Sequence, residues 1–287
     1  MKKLLFITSL FCSTVFLMSC STAKYATSGF NINIATFNIR MDTERDSLDA
    51  WKYRKGMVKG LIRFHDFDIF GVQEAFKHQL IDILELENYA YVGVGRDNGK
   101  DAGEHSAIVY RKDKFNVLRN GDFWFAENPD MPEKGWDATC CNRICSWAKF
   151  KDRKTGKEFF VFNSHYDHQG KEARKNSSIL LLRKIEEIAG NSTVFCTGDF
   201  NATPDDEPIQ ILANDGRLKD SYLISQQPPY GTEGTFNSFR LNSPMKGRID
   251  YIWVSDGVKV IKYGVLNDVQ YGHFPSDHFP VMVNVAF

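Results

Sequence analysis

From residue 30 onward the chain alternates short apolar runs with polar breaks, which predicts many strands and a few helices. Several runs are apolar at successive positions, as is typical of strands buried on both faces. Helices are predicted at Ala50–Phe64, Ala75–Leu86 and Glu172–Ala189, the first and last because their apolar residues fall on one helical face. The predicted strands are Asn31–Asn38, Asp68–Val72, Tyr89–Gly93, Ser106–Arg111, Ser146–Lys151, Glu158–Asn163, Val194–Thr197, Ile249–Val254, Val258–Tyr263 and Val281–Val285.

The order of these elements indicates a layered α/β architecture. Strands outnumber helices, and helices lie between some of the strands. Two packed sheets with helices on the outside satisfy both observations. Residues 30–287 contain no low-complexity linker, repeat or block of like charge, so we interpret them as one domain.

The first twenty residues have the pattern of an export signal. A basic start, Met1-Lys2-Lys3, precedes the apolar run Leu4–Met18, which is too short for a stable membrane span. The run ends in Ser19-Cys20, which resembles a bacterial lipobox, although Met18 is unusual within one. We therefore predict a signal peptide at 1–19, an acylated Cys20, a tether at 20–29 and a periplasmic or outer-membrane-anchored protein. Plain signal cleavage is the alternative.

The charge of the chain argues against a protein that grips duplex nucleic acid. The formal net charge is zero, and removal of residues 1–19 takes away two lysines and no acid, leaving −2. Proteins that bind nucleic-acid backbone without sequence preference usually carry a basic excess. Its absence weakens a nucleic-acid function without excluding it, because a local basic patch is compatible with a neutral total.

Four cysteines follow the export segment, at positions 140, 141, 145 and 196. Their spacing matches no zinc-binding pattern. An exported location permits a disulfide, but the sequence assigns no pairing. Cys196 lies in the apolar run Thr193–Cys196 and is interpreted as a small core residue.

The polar residues that carry chemistry stand at the ends of apolar runs. They are Asn38, Glu74, His165, Asp199 with Asn201, Asp250, and Asp277 with His278. A carboxylate at the end of a buried strand is costly unless it is paired or binds a cation. We therefore expect these strand ends to share one polar cleft. Oxygen ligands and imidazoles without thiolates favour Mg²⁺ or Mn²⁺ over structural zinc.

Six motifs in order make the chain resemble the endonuclease/exonuclease/phosphatase superfamily, which includes deoxyribonuclease I-like nucleases, sphingomyelinases, inositol-polyphosphate phosphatases and deadenylases. The motifs are Thr36-Phe37-Asn38-Ile39-Arg40, Gly71-Val72-Gln73-Glu74, Asn163-Ser164-His165-Tyr166-Asp167-His168, Thr197-Gly198-Asp199-Phe200-Asn201, Arg248-Ile249-Asp250-Tyr251 and Ser276-Asp277-His278-Phe279-Pro280. The resemblance implies a four-layer α/β/β/α sandwich of two packed, mostly antiparallel sheets, in agreement with the pattern above.

The resemblance also implies a metal site and a catalytic pair. Glu74 is expected as the principal metal ligand, with Asn38 and Asp277 beside it. His278, paired with Asp250, is expected to act on the nucleophile or to stabilise charge at phosphorus.

Further residues are implied around the phosphate and the leaving group. Asp199 and Asn201 are expected to orient the attacking water and to bind a phosphate oxygen or a second metal. His165 is expected to protonate or stabilise the leaving oxygen and to contact the phosphate, with Glu104 as its candidate partner. Arg143 matches a phosphate-contacting arginine of the family, a task that suits a planar guanidinium.

Structural explanations stand beside several of these assignments. His165 alone reads as a core histidine, and Asp250 is also explained by an ion pair with Arg248. Glu104 is equally explained as a turn residue and Arg143 as a surface salt bridge. Four further histidines, His65, His105, His168 and His273, are expected at the surface or behind the site.

Two residues separate the chain from the abasic-site endonucleases of the superfamily. Arg40 stands where those enzymes carry Asp, and His165 stands where they carry Tyr. The expected function is an exported, Mg²⁺- or Mn²⁺-dependent phosphodiesterase that works as a monomer and meets membrane only through its anchor. The alternatives are a phosphomonoesterase acting on inositol, sugar or lipid-headgroup phosphates, and an inactive binding module, against which the intact ligand set argues.

Overall fold

A computed structural model of the protein describes residues 30–287. The predicted signal peptide (1–19), the acylation site at Cys20 and the tether (20–29) lie outside the described residues. A 3-10 helix at Glu44–Asp49 accompanies the numbered elements. These are β1 Asn31–Asn38, α1 Trp51–Phe64, β2 Ile69–Gln73, α2 Lys77–Ile83, β3 Tyr89–Val92, β4 Ile108–Arg111, β5 Phe115–Trp124, β6 Ile144–Asp152, β7 Glu158–His165, α3 Lys171–Ala189, β8 Val194–Asp199, α4 Glu207–Asn214, β9 Leu218–Asp220, β10 Asp250–Ser255, β11 Lys259–Val265 and β12 Val281–Ala286.

The strands form two six-stranded sheets. Their orders are β11-β12-β1-β2-β4-β3 and β5-β6-β7-β8-β10-β9. Each sheet has one parallel pair near its centre, β1 with β2 and β7 with β8, and every other pairing of the named strands is antiparallel. The predicted mostly antiparallel sheets are confirmed.

Three apolar clusters define four layers. Between the sheets, Ile34 and Ile69 of one sheet share a cluster with Phe150 and Phe195 of the other. The outer faces are covered by helices: α1 and α2 pack on the first sheet and α3 and α4 on the second. The predicted α/β/β/α sandwich follows from this arrangement, since each sheet buries both faces.

A polar seam fixes how the two sheets meet beneath one edge. The Gln73 amide donates to Asn163 Oδ1 (2.7 Å), and the Asn163 amide donates to the Val72 carbonyl (2.8 Å). Thr197 Oγ1 also donates to Asn163 Oδ1 (3.0 Å). Gly71 permits this contact, because a Cβ at that position would stand 2.1 Å from Asn163 Oδ1. Buried side-chain hydrogen bonds of this kind favour one way of packing the two layers, although Gln73 Oε1 itself has no partner among the described residues.

Three elements of the fold were not predicted, namely β5, α4 and β9, and α2 is shorter than the predicted helix Ala75–Leu86. β5 and β9 are edge strands. The middle of β5 is largely exposed and polar, so it lacks the apolar run that marks a central strand. Among the described residues, no helix combines the length and the apolar character needed to cross a bilayer.

Candidate active site

The topology brings the chemistry-bearing strand ends to one edge of the sandwich. Because β1 runs parallel to β2 and β7 runs parallel to β8, Asn38 and Glu74 end neighbouring strands, as do His165 and Asp199. β10 pairs antiparallel to β8, so its first residue, Asp250, lies opposite Asp199. Ser276 Oγ donates to the Asn38 carbonyl (2.7 Å), which brings the segment before β12 to the same edge.

A cleft of about 530 Å³ opens at this edge. The predicted site residues that line it are Glu74, Glu104, Arg143, His165, Asp199, Asn201, Asp277 and His278. The other two, Asn38 and Asp250, lie buried behind it and hold its lining residues. The structure therefore brings together all ten residues predicted from the sequence.

His278 and Asp250 form a buried ion pair at the floor of the cleft. His278 Nδ1 donates to Asp250 Oδ2 at 2.9 Å, and His278 Nε2 lies 3.8 Å from Asp199 Oδ2. The structural alternative for Asp250 is wrong, because Arg248 makes its bidentate pair with Asp220 instead (2.7 and 3.1 Å). Burial alone would lower the pKa of His278, but the carboxylates of Asp250 and Asp199 outweigh it and hold that pKa well above its ordinary value.

Asp199 stands between the imidazole of His278 and the amide of Asn38. Its Oδ2 accepts from Asn38 Nδ2 (3.0 Å) and its Oδ1 accepts from the backbone N–H of Asn201 (3.0 Å). Burial and the negative charge of Asp250 raise the pKa of Asp199 to about 7, against the lowering effects of His278 and these hydrogen bonds. A carboxylate with this pKa can exchange a proton near neutral pH.

Glu74 and Asn201 both have unusual backbone conformations. Glu74 has φ 62° and Asn201 has φ 46°, both in the left-handed region that few non-glycine residues adopt. The Asn201 side-chain amide donates to the Tyr166 carbonyl (3.0 Å), and Asn201 lines the cleft. Such strain concentrates where a side chain must be aimed at a ligand.

Nitrogen atoms surround the Glu74 carboxylate. Asn38 Nδ2 donates to Glu74 Oε1 (3.2 Å) and the Met41 backbone N–H donates to Glu74 Oε2 (3.1 Å). Arg40 Nη1 lies 3.7 Å from Glu74, and Arg40 Nε lies 3.9 Å from Asp277. Burial and the charge of Glu74 raise the pKa of Asp277, against the lowering effect of His278.

The carboxylates of Glu74 and Asp277 fit a hard divalent cation. The charge of Glu74 raises the pKa of Asp277, and a cation bound near both carboxylates would offset this repulsion; carboxylate oxygens are ligands that Mg²⁺ and Mn²⁺ prefer. Asn38 presents its amide nitrogen to Glu74, and its amide oxygen accepts from the Arg40 backbone N–H (3.0 Å). A second group able to hold a cation consists of Asp199, Asp250 and His278. Asp250 Oδ1 in that group is buried without a partner among the described residues.

His165 is neutral in this arrangement. Arg143 Nη1 lies 3.1 Å from His165 Nε2, and because a guanidinium only donates, the imidazole nitrogen accepts. Burial and the charges of Arg143 and Arg96 hold the pKa of His165 well below its ordinary value. His165 Nδ1 is 3.9 Å from Glu104, too far for a hydrogen bond. Glu104 instead makes a bidentate pair with Arg96 (2.7 and 2.8 Å).

The opposite wall of the site is basic. Arg143 is 5% exposed, so a surface salt bridge does not explain it; its guanidinium donates to Asp167 Oδ2 (3.3 Å) and to His168 Nδ1 (2.8 Å). His168 is exposed, as expected, and its side chain also lines the cleft. Arg96 also lines the cleft and was not predicted, since it lies in a loop rather than at the end of an apolar run.

A buried arginine supports the site from below. Arg54 of α1 is fully buried, and its guanidinium donates to the carbonyl oxygens of Ile39, Arg40 (2.7 Å), Asp49 (2.8 Å) and Pro275 (3.1 Å). These hydrogen bonds join the chain after β1 to the segment that carries Asp277 and His278. Burial lowers the pKa of Arg54 to about 10, which still leaves it protonated at neutral pH.

Residues 35–278 match the family model of the Endonuclease/Exonuclease/phosphatase family. The chain belongs to the endonuclease/exonuclease/phosphatase family. Members of this family are hydrolases of phosphate esters, and so is this protein. They generally depend on a divalent metal ion, in agreement with the donor set described above.

Solved structures of this family from Bacteroides thetaiotaomicron resemble the protein over most of its length. An endonuclease/exonuclease/phosphatase family protein is 45% identical with a TM-score of 0.87, over 90% of this chain and 98% of that one. A mannosyl-6-phosphatase is 46% identical with a TM-score of 0.85, over 89% of this chain and 100% of that one. The exoribonuclease subunit Ccr4 of Emericella nidulans is 21% identical over 91% of this chain and 53% of its own length.

The geometry assigns distinct tasks to the side chains of this family member. A bound divalent cation supplies Lewis acidity toward a phosphate oxygen. Asp199, with its pKa near 7, is placed to accept the proton of an attacking water, and the backbone N–H of Asn201 holds the Asp199 carboxylate in position. Protonated His278 presents a positive charge to the cleft, and its hydrogen bond to Asp250 holds the ring in this orientation.

Proposed function

We propose that the protein is a phosphomonoesterase that removes phosphate from a phosphorylated sugar. This is the first alternative to the phosphodiesterase expected from the sequence. The observation that carries it is the buried guanidinium of Arg143, which lines a cleft of about 530 Å³, a volume that suits a sugar phosphate.

A terminal phosphate needs donors that a diester does not. Near pH 7 a monoester carries a charge of about −1.5 to −2 and presents three oxygens to its site. The Arg143 guanidinium donates three hydrogen bonds, to Asp167, His165 and His168. Each of its two terminal nitrogens has one more hydrogen available to donate. A guanidinium held rigidly in this way suits a dianionic phosphate.

The comparisons support the same choice. The mannosyl-6-phosphatase is matched over its whole length at 46% identity, whereas the exoribonuclease Ccr4 is matched over about half of its length at 21%. The neutral total charge of the chain also favours a small substrate over a long polyanion. A sugar 6-phosphate is therefore the first substrate to test, and RNA is the second.

The metal we propose is Mg²⁺ or Mn²⁺, bound by Glu74, Asn38 and Asp277. Their oxygen atoms are the ligands these ions prefer. Manganese binding to the purified protein, measured by electron paramagnetic resonance, should be weakened strongly by Glu74→Gln. Unchanged binding in that variant would place the metal elsewhere, with Asp199, Asp250 and His278 as the next group to test.

A substrate panel tests the proposed activity. The purified protein with Mg²⁺ is given mannose 6-phosphate, glucose 6-phosphate, bis-p-nitrophenyl phosphate and RNA. We expect phosphate release from a sugar monoester at least about tenfold faster than diester cleavage. Arg143→Ala should raise KM for the monoester, whereas Arg153→Ala, an exposed arginine in the β6–β7 turn at the other edge of the sheet, should not. Preferential cleavage of the diester or of RNA would reject the proposal.

We also propose that the protein is exported and anchored through an acylated Cys20. The support is the basic start, the short apolar run and the small residue before the cysteine. In a bacterial host, labelled palmitate should enter the wild-type protein and not the Cys20→Ser variant, which should leave the membrane fraction. Incorporation in both would reject the anchor.

A further inference from the structure

Two adjacent cysteines form part of the cleft wall. A disulfide joins Cys140 to Cys141, and both residues line the cleft that contains Arg143 and His165. The bond closes a small ring with the peptide bond between the two residues, and that ring has no thiol hydrogen left to donate. Cys140 is exposed and Cys141 is half-buried, so a ligand in the cleft can reach them. Neither cysteine takes part in the hydrolysis described above.

The loop that carries the pair is attached to the fold on both sides. Before the pair, Asp137 accepts from the backbone N–H of Ala173 (2.7 Å) in the first turn of α3. After the pair, the Arg143 carbonyl accepts from the Phe125 backbone N–H (2.8 Å). Thr139 Oγ1 also donates to Gln169 Oε1. The position of the ring is therefore set by neighbouring elements.

The apolar part of the cleft is small and includes this pair. Among the described residues that line the cleft, the apolar ones are Met41, Cys140, Cys141 and Phe236, and all others are polar or charged. The charged residues account for the phosphate and the metal. A sugar ring has hydroxyl groups at its edge and C–H groups on its faces, and those faces pack on apolar surfaces.

We propose that the Cys140–Cys141 ring is a specificity determinant that packs against the C–H face of a sugar whose phosphate is bound by Arg143. The proposal rests on the sugar monoesterase function given above. The oxidised pair is rigid, so less conformational entropy is lost on binding than with two free side chains. The predicted export places the protein where a disulfide persists.

The test compares a cyclic with an acyclic substrate. For Cys140→Ser/Cys141→Ser we expect kcat/KM for mannose 6-phosphate to fall about tenfold, mainly through KM, the scale on which an apolar contact discriminates substrates. The values for glycerol 3-phosphate, which has no ring, should change less than about twofold. The inhibition constant of inorganic phosphate should also stay unchanged, because phosphate contacts Arg143 and not the pair.

Two further variants and a labelling experiment accompany the test. Met131→Ala, an exposed sulfur-containing residue of the same loop, should leave both substrates unaffected. Cys140→Ala/Cys141→Ala keeps the apolar character but not the ring, and should show a loss for mannose 6-phosphate as well. Under native conditions iodoacetamide should label positions 140 and 141 only after reduction, since Cys145 and Cys196 are buried.

The outcomes separate this inference from the proposed function. Labelling without reductant would show free thiols and overturn the inference. A rise in the phosphate inhibition constant together with KM would mean that the pair acts through Arg143, which also overturns it. An active wild type whose selectivity equals that of the serine variant rejects the inference alone. A wild type that hydrolyses neither monoester rejects the proposed function as well.

Discussion

His278 Nδ1 lies 2.9 Å from Asp250 Oδ2, and both side chains are buried at the edge where six strand ends meet. The two residues belong to different sheets: Asp250 is the first residue of β10, and His278 lies just before β12. The pair therefore forms only when the two sheets are packed together correctly. It also sets the charge of the imidazole, because Asp250 is the strongest of the groups that raise the pKa of His278.

The first prediction concerns the charge of this pair. Asp250→Asn removes the carboxylate that keeps His278 protonated, so the pKa of His278 should fall. The alkaline limb of the pH–rate profile should then move to lower pH, and kcat should fall roughly 10²-fold, the scale for a lost acid–base group. Steady-state rates between pH 5 and 10 measure both effects. An unmoved alkaline limb would show that another group controls it.

The second prediction concerns stability and pH. Folding raises the pKa of Asp199 from 3.8 to about 7, so the folded protein binds more protons than the unfolded chain between these values. Ionisation of Asp199 therefore lowers the free energy of unfolding as the pH rises through that window. Asp199→Asn should unfold at a higher temperature than wild type at pH 8 in EDTA, with little difference at pH 4, and should lose activity. Thermal melts of the variant and the wild type at both pH values test this prediction. A variant less stable than wild type at pH 8 would contradict it.

The third prediction concerns the arginine beneath the site. Arg54→Met leaves buried carbonyl oxygens without hydrogen-bond donors. Each unsatisfied oxygen costs about 1–3 kcal/mol of stability, so the melting temperature should fall by several degrees or more. Lys52→Met on the exposed face of the same helix is the control and should change it little. Equal melting temperatures for the two variants would show that Arg54 does not hold the two segments together.

The fourth prediction compares two glycines. Gly71→Ala places a Cβ 2.1 Å from Asn163 Oδ1 in the seam between the sheets, so the variant should be destabilised or fail to fold. Gly60→Ala in α1 meets nothing within 4 Å and should raise the free energy of unfolding by about 0.5–1 kcal/mol through helix propensity. Urea unfolding of both variants provides the comparison. An unchanged stability of Gly71→Ala would mean that Asn163 and its neighbours can move to accommodate the added methyl group.

The sequence predicts the central strands and the site better than the edges. β1, β2, β7 and β8 are buried at nearly every position, and each has apolar residues followed by polar residues at its end, so the run and its end are both visible in the sequence. β5 is an edge strand with several successive exposed residues in its middle, and it has no comparable apolar run. The nine-tenths-buried Glu104 joins Arg96 only because the loop between them folds back, with Arg96 N–H donating to the Glu104 carbonyl (3.0 Å).

Partners set by tertiary structure could not be predicted. Arg248 is two residues from Asp250, yet its guanidinium turns to Asp220 of β9, an edge strand that the sequence did not reveal. His168 lies close to His165 in sequence, but only the geometry of Arg143 shows that it faces the cleft. Arg54 stands on an otherwise amphipathic helix, where an arginine is usually exposed. In each case the deciding contact joins segments whose approach depends on the whole fold.

The most direct test of the account is phosphate release from mannose 6-phosphate by wild type, Glu74→Ala and His278→Ala, each assayed with Mg²⁺ and with EDTA. The account predicts turnover by the wild type that EDTA abolishes, and losses of about 10²-fold or more in both variants while their thermal melts remain cooperative. Full activity in either folded variant, or turnover that survives EDTA, would contradict it.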